Sequence, residues 1–124
     1  MLKYIAVGVG GFAGAITRYA IGVYIGSRYG VGFPYGTFVI NVSGSFLVGL
    51  ILTLLARTTA SPYWRYLLPI GFIGAYTTFS TFEYETLQAI QDGQLVTGLL
   101  NVTLSLIVGF GAVWLGSALG RIFT

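Results

Sequence analysis

Apolar residues fall into four long blocks separated by short polar punctuation. The first runs from about Tyr4 to Ile25 and is interrupted only by Arg18. Ser27, Arg28, Gly30, Gly32 and Pro34 then supply turn residues, and Gly36 to Ala56 follows as 21 residues without a charge. Arg57 closes that block and Thr58 to Pro62 connect it to the next. There Tyr63, Trp64 and Tyr66 flank Arg65 as an interfacial aromatic anchor. Asp92-Gly93 is a turn signal, and Gln94 to Gly120 forms a last uncharged block ended by Arg121. A helix crosses the hydrocarbon core with about 20 apolar residues. The pattern therefore predicts an all-α membrane protein, a single membrane domain over residues 1–124 with four transmembrane helices near 4–25, 36–56, 64–90 and 94–120. Both termini then lie on one side.

The third block is the irregular one. Gly71 and Gly74 precede Thr77, Thr78, Phe79, Ser80, Thr81 and Phe82, a run richer in hydroxyls than any other apolar stretch of the chain. One or two such hydroxyls bond back to their own helix as a matter of course. A cluster behind glycines favours an interruption of the helix between about 74 and 80, because non-helical backbone at membrane depth persists where it is buried in protein or lines an aqueous path.

Composition narrows the class. Only 9 of 124 residues are charged, where a soluble chain of this length carries about 31, and mean hydropathy is +0.87. Cysteine and histidine are both absent, which removes disulfides, thiolate metal sites and His-based acid–base chemistry. No enzyme is indicated. Glu83 and Glu85 are two apart and face different directions on a helix, so they do not form a converging hydrolytic pair. The first block lacks a cleavage site followed by a polar chain and is expected to be a retained helix. The six basic residues are scattered, which speaks against a nucleic-acid partner. Lys3, Arg57, Arg65 and Arg121 fall on the side of the termini and Arg28 opposite, a weak preference for cytoplasmic termini.

Several polar residues inside the blocks are candidates for chemistry. Phe79 and Phe82, three apart, share a helix face; they are either packing residues or ring edges that stabilise a passing anion. Asn41 and Asn101 are either interhelical glue or donors to an ion, with Ser43, Ser45, Thr103 and Ser105 adding hydroxyls nearby. Arg18 either draws anions to a vestibule or snorkels to the interface.

The segments GFIGAYTTFSTFEYE (Gly71 to Glu85), GGFAGAITRY (Gly10 to Tyr19) and GTFVINVSGSF (Gly36 to Phe46) together resemble the bacterial fluoride channels of the Fluc (CrcB) family, and the resemblance spans the chain. It implies an antiparallel, dual-topology dimer of two copies of the chain in the inner (plasma) membrane. It further implies two fluoride pores and a structural sodium ion at the dimer centre. Fluoride would leave the cytoplasm passively, giving resistance to its toxicity. By the same resemblance the Gly74 and Thr77 backbone carbonyls hold sodium. Phe79 and Phe82 are the pore phenylalanines, Asn41 the pore asparagine, Ser80 and Thr81 a hydroxyl track, Arg18 the vestibule arginine and Glu85 the third-helix glutamate, with Ser105 and Asn101 from the fourth helix. Glu83 departs from the pattern, standing where a small neutral residue is expected. A small cation exporter of similar size would need a membrane-embedded carboxylate in its first helix, where this chain has Arg18. An accessory subunit would leave the polar run and the two phenylalanines in phase without a purpose.

Overall fold

The computed structural model describes residues 1–123. Four long helical rods make up the fold, and no strand occurs among the described residues. Helix α1 is Leu2–Tyr29 and α2 is Tyr35–Arg57. The third rod is divided. Its first part, α3 (residues 63–76), joins a turn at Tyr63–Arg65 to a π-helical stretch at Tyr66–Ile73 and a last turn at Gly74–Tyr76; its second part is α4, Phe79–Gln91. Helix α5, Leu95–Ile122, closes the chain. Three helices, α1, α2 and α5, are individually long and apolar enough to cross a membrane. The divided rod fits a fourth crossing only when its two parts are taken together.

The rods follow the expected blocks to within one or two residues, except that α1 runs on four residues past its block to Tyr29, where polar residues extend the backbone ladder without needing to be apolar. The two tight turns carry glycine with positive φ, Gly30 at 73° and Gly93 at 77°, a region that β-carbon-bearing residues rarely adopt. Inside α3, Pro69 has no N–H to give to the ladder, and its ring crowds the carbonyl one turn back. Widening to π geometry relieves that clash and leaves the rod continuous.

The helices pack chiefly as two pairs, α1 against α3 and α2 against α5. Both seams are backbone contacts made by glycine. A β-carbon on Gly10 would run into the Leu67 carbonyl oxygen, and one on Gly14 into that of Phe72. Gly49 meets Val113 in the same way, and Gly116 meets Phe46. Close approach substitutes dispersion contacts for the hydrophobic drive that lipid removes. A hydrogen bond of 2.9 Å between the Thr53 and Ser117 hydroxyls fastens the α2–α5 seam near its end. Few large side chains are buried; Ile25, Ile40, Ile73 and Tyr76 are the buried apolar ones. Outside, Phe12, Tyr19, Leu106, Ile107, Phe110 and Trp114 are all more than half exposed, a surface stable only against lipid or another chain.

Candidate functional site

The interruption expected between 74 and 80 falls at two residues. Thr77 (φ −80°, ψ 157°) and Thr78 (φ −148°, ψ 117°) are extended between α3 and α4. Asn41 of α2 sits against the gap and pairs with it twice: its Nδ2 donates to the Thr78 carbonyl at 2.9 Å, and the Thr78 N–H donates to its Oδ1 at 2.8 Å. A carboxamide has the same donor and acceptor as a peptide group, so it completes the backbone bonding that the break forfeits. In an unbroken helix the Thr78 amide would go to the Gly74 carbonyl. Likewise the Thr81 amide, which would go to Thr77, is taken at 3.3 Å by the Thr78 hydroxyl acting as N-cap of α4. The carbonyls of Gly74 and Thr77 are thereby released from the ladder, while the Thr77 amide and hydroxyl still bond the Ile73 carbonyl. Among the described residues there is no group of three acidic, Cys or His side chains that could hold a metal ion.

Beside the break, α1, α2 and α4 enclose an open cleft of about 810 Å³. It brings together Arg18 from α1, Thr37 from α2, and Thr78, Thr81 and Glu85 from the break and α4. Arg18 is half-buried in its wall. The Thr37 hydroxyl reaches the Glu85 carboxyl, whose Oε2 is buried without a hydrogen-bond partner. The cleft therefore carries one guanidinium, two carboxyls, Glu85 and Asp92, and a row of hydroxyls. The Thr78 hydroxyl donates to that of Thr81 at 2.9 Å, which leaves the Thr81 hydroxyl proton to point toward the cleft.

The phenylalanines occupy another side of α4. The rings of Phe79 and Phe82 are 5.8 Å apart and tilted by 35°, as their spacing predicts, and Phe79 is largely exposed. Phe82 and Glu83 line a smaller pocket of about 320 Å³ with Thr86 and Val102, so Glu83 lies away from the Arg18 cleft. Ser80 is exposed. Asn101 is 1% exposed, and its amide donates to the Thr86 hydroxyl at 2.9 Å while the Ser105 hydroxyl donates to its Oδ1 at 3.4 Å. A single chain thus gathers the candidates into three groups: Arg18, Thr81 and Glu85 in the cleft, Phe79 with Phe82, and Asn101 with Ser105. Gly74 and Asn41 belong to the break.

Three contributors escaped the sequence reading. Thr37 lies one turn before Asn41 on α2, an i,i+4 spacing that signals a shared face. Thr86 stands one turn after Phe82 and donates to its carbonyl at 2.8 Å. Tyr76, buried and stacked on Phe72 at 5.8 Å, shares a hydrogen bond of 2.8 Å with the Ser43 hydroxyl, which ties the end of α3 to α2.

Comparison with known proteins agrees with the resemblance seen in the sequence. A protein from Acidobacterium capsulatum named fluoride-specific ion channel FluC is 58% identical over 121 residues, covering 97% of each chain. Proteins of the same name from Solibacter usitatus and Shewanella amazonensis are 49% and 44% identical, over 97% and 96% of this chain and 99% and 96% of theirs. Residues 5–117 match the family model described as CrcB-like protein, Camphor Resistance (CrcB). With its motifs in order and nearly its whole length matched, the chain belongs to the CrcB-like family.

Proposed function

We propose that the protein is a fluoride-selective channel, not an enzyme, that passes fluoride out of the bacterial cytoplasm across the inner membrane. The reading rests on one observation above all: the helix break and its Asn41 clamp are intact in a chain 58% identical to a relative named for fluoride conduction. Fluoride is small and strongly hydrated, so a path must replace its water with many donors and partial positive charges. Arg18 raises the local anion concentration in the cleft. The hydroxyls of Ser80 and Thr81 rotate to donate, and the ring edges of Phe79 and Phe82 offer positive quadrupole ends without the grip of a lysine. Larger anions make too few of these contacts to offset confinement. Efflux needs no ATP, since an interior-negative potential drives an anion outward with about 2.3 kcal/mol per charge for each 100 mV.

The functional unit in this proposal is two copies of the chain inserted in opposite directions, with sodium held where the breaks meet. The Gly74 and Thr77 carbonyls are uncharged oxygen donors suited to a hard cation, which when bound supplies a fixed positive charge and a link between the copies. The test is fluoride flux from vesicles holding the purified protein, under an imposed voltage with no pH gradient and compared with chloride. Fast, voltage-driven fluoride loss with chloride retained is expected. Flux that vanishes without a proton gradient would instead mean a coupled exchanger.

A further inference from the structure

Two roles separate among the polar residues assigned to the proposed conduction path. Helix α4 contributes no buried residue and touches this chain mainly through α5, so a few fixed bonds decide where its phenylalanines stand. At its start the Asn41 pairing holds Thr78. At its end the turn is locked by the Asp92, Gly93 and Gln94 amides bonding back to Gln88, Ile90 and Ala89. Between them stands one polar link to α5, running from the Asn101 amide to the Thr86 hydroxyl and on to the Phe82 carbonyl, with steps of 2.9 and 2.8 Å.

We infer that Asn101 is a positioning residue, which through Thr86 fixes the turn of α4 that carries Phe82, and is not a ligand of the transported ion. Three observations carry this. Asn101 is 1% exposed, the most deeply buried large side chain among the described residues, so no ion reaches it within the chain. Both ends of its amide are engaged, the nitrogen by Thr86 and the oxygen by Ser105. Its partner hydroxyl is itself committed to the Phe82 carbonyl, one turn before it and between the two asparagine anchors. One turn earlier on α5, Gly98 admits the Ile90 side chain, which would lie 2.8 Å from an added β-carbon, so helix separation is already set there and Asn101 adds register. A wrong register displaces Phe82 relative to Phe79, and a pore that selects by contacts at close quarters loses them when its lining shifts.

This inference rests on the fluoride-channel reading, and the experiment separates the two. Wild-type protein in vesicles is assayed first; absence of fluoride flux there defeats the channel reading itself. Given wild-type flux, Thr86→Val, Thr86→Ala, Asn101→Leu and the double variant Thr86→Val/Asn101→Leu are compared with Thr86→Ser. The valine, alanine and leucine variants are each expected to lose about tenfold or more in fluoride flux with a lowered fluoride-to-chloride ratio, the double variant no more than the worse single one, and Thr86→Ser to keep wild-type values within about twofold. Elution as a monodisperse species shows which variants fold, and Thr86→Ala, the smallest change, keeps the test open if valine does not. Wild-type flux in folded Thr86→Ala or Thr86→Val alongside a large loss in Asn101→Leu would make Asn101 an ion ligand and overturn the inference. Losses that multiply in the double variant, or a Thr86→Ser protein as poor as Thr86→Ala, would overturn it as well.

Discussion

A single carboxamide does at Asn41 what a turn of helix does elsewhere, supplying one donor and one acceptor to the only stretch of extended backbone within the rods. Replacing it by leucine leaves the Thr78 N–H and carbonyl unpartnered, and each orphaned buried group costs about 1–3 kcal/mol. Asn41→Leu should therefore unfold at lower temperature in detergent than wild type and lose fluoride flux. Asn41→Asp keeps an acceptor for the Thr78 N–H but sets an oxygen against its carbonyl, so it should fall between the two in thermal stability; an aspartate variant as stable as wild type would show that only the N–H contact matters. Arg18 acts at longer range. Its charge in the cleft wall attracts anions through solvent, and screening shortens that reach from about 30 Å at 0.01 M salt to about 8 Å at 0.15 M. Arg18→Gln is accordingly expected to slow fluoride flux several-fold at low ionic strength and much less at high ionic strength. A loss independent of salt would make Arg18 a direct ligand.

Among the elements, the two glycine seams carry the architecture. At Gly49 and Gly116 the opposing backbone is in contact, so Gly49→Ala must separate α2 from α5 and stretch the Thr53–Ser117 bond. Overpacking of this kind costs about 1–3 kcal/mol. Gly8, with open space around its β-carbon position, tolerates alanine and gains slightly in helix propensity. Thermal melts of the two variants should move in opposite directions. Much of this was legible in the chain: uncharged blocks of about 20 residues dictate the rods, and Gly71, Gly74 and the hydroxyls after them mark where the third rod fails. Pro69 marked a disturbance of the third rod, but not its form: a proline inside a helix can kink it, end it or widen it, and here the rod widens and stays continuous. Thr37 and Thr86 were hidden for another reason. Their partners, Glu85 and Asn101, belong to other helices, and a hydroxyl on an apolar face says nothing of what stands across from it.

For the molecule as a whole, the dominant fact is how little one chain completes by itself. Phe79 and most large side chains of α5 point outward, and the phenylalanine pair, the Arg18 cleft and the freed Gly74 and Thr77 carbonyls do not meet in one continuous path within a single copy. A second copy related by a two-fold axis in the membrane plane would present the same surfaces in inverted order, so each path would draw on both chains. Against this stands the lopsided distribution of charge: Lys3, Arg57, Arg65 and Arg121 sit at one end of the rods and Arg28 at the other. The positive-inside preference alone would insert every copy the same way. These forces give opposite results in one measurement. The chain has no cysteine, and Val31 and Ser61 lie in exposed turns at opposite ends of the rods. Val31→Cys and Ser61→Cys, each exposed to an impermeant thiol reagent on intact cells, should both label to about half, because an inverted pair places one copy of each turn outside. Full labelling of Val31→Cys with none at Ser61→Cys would show that charge alone sets orientation and would remove the inverted dimer.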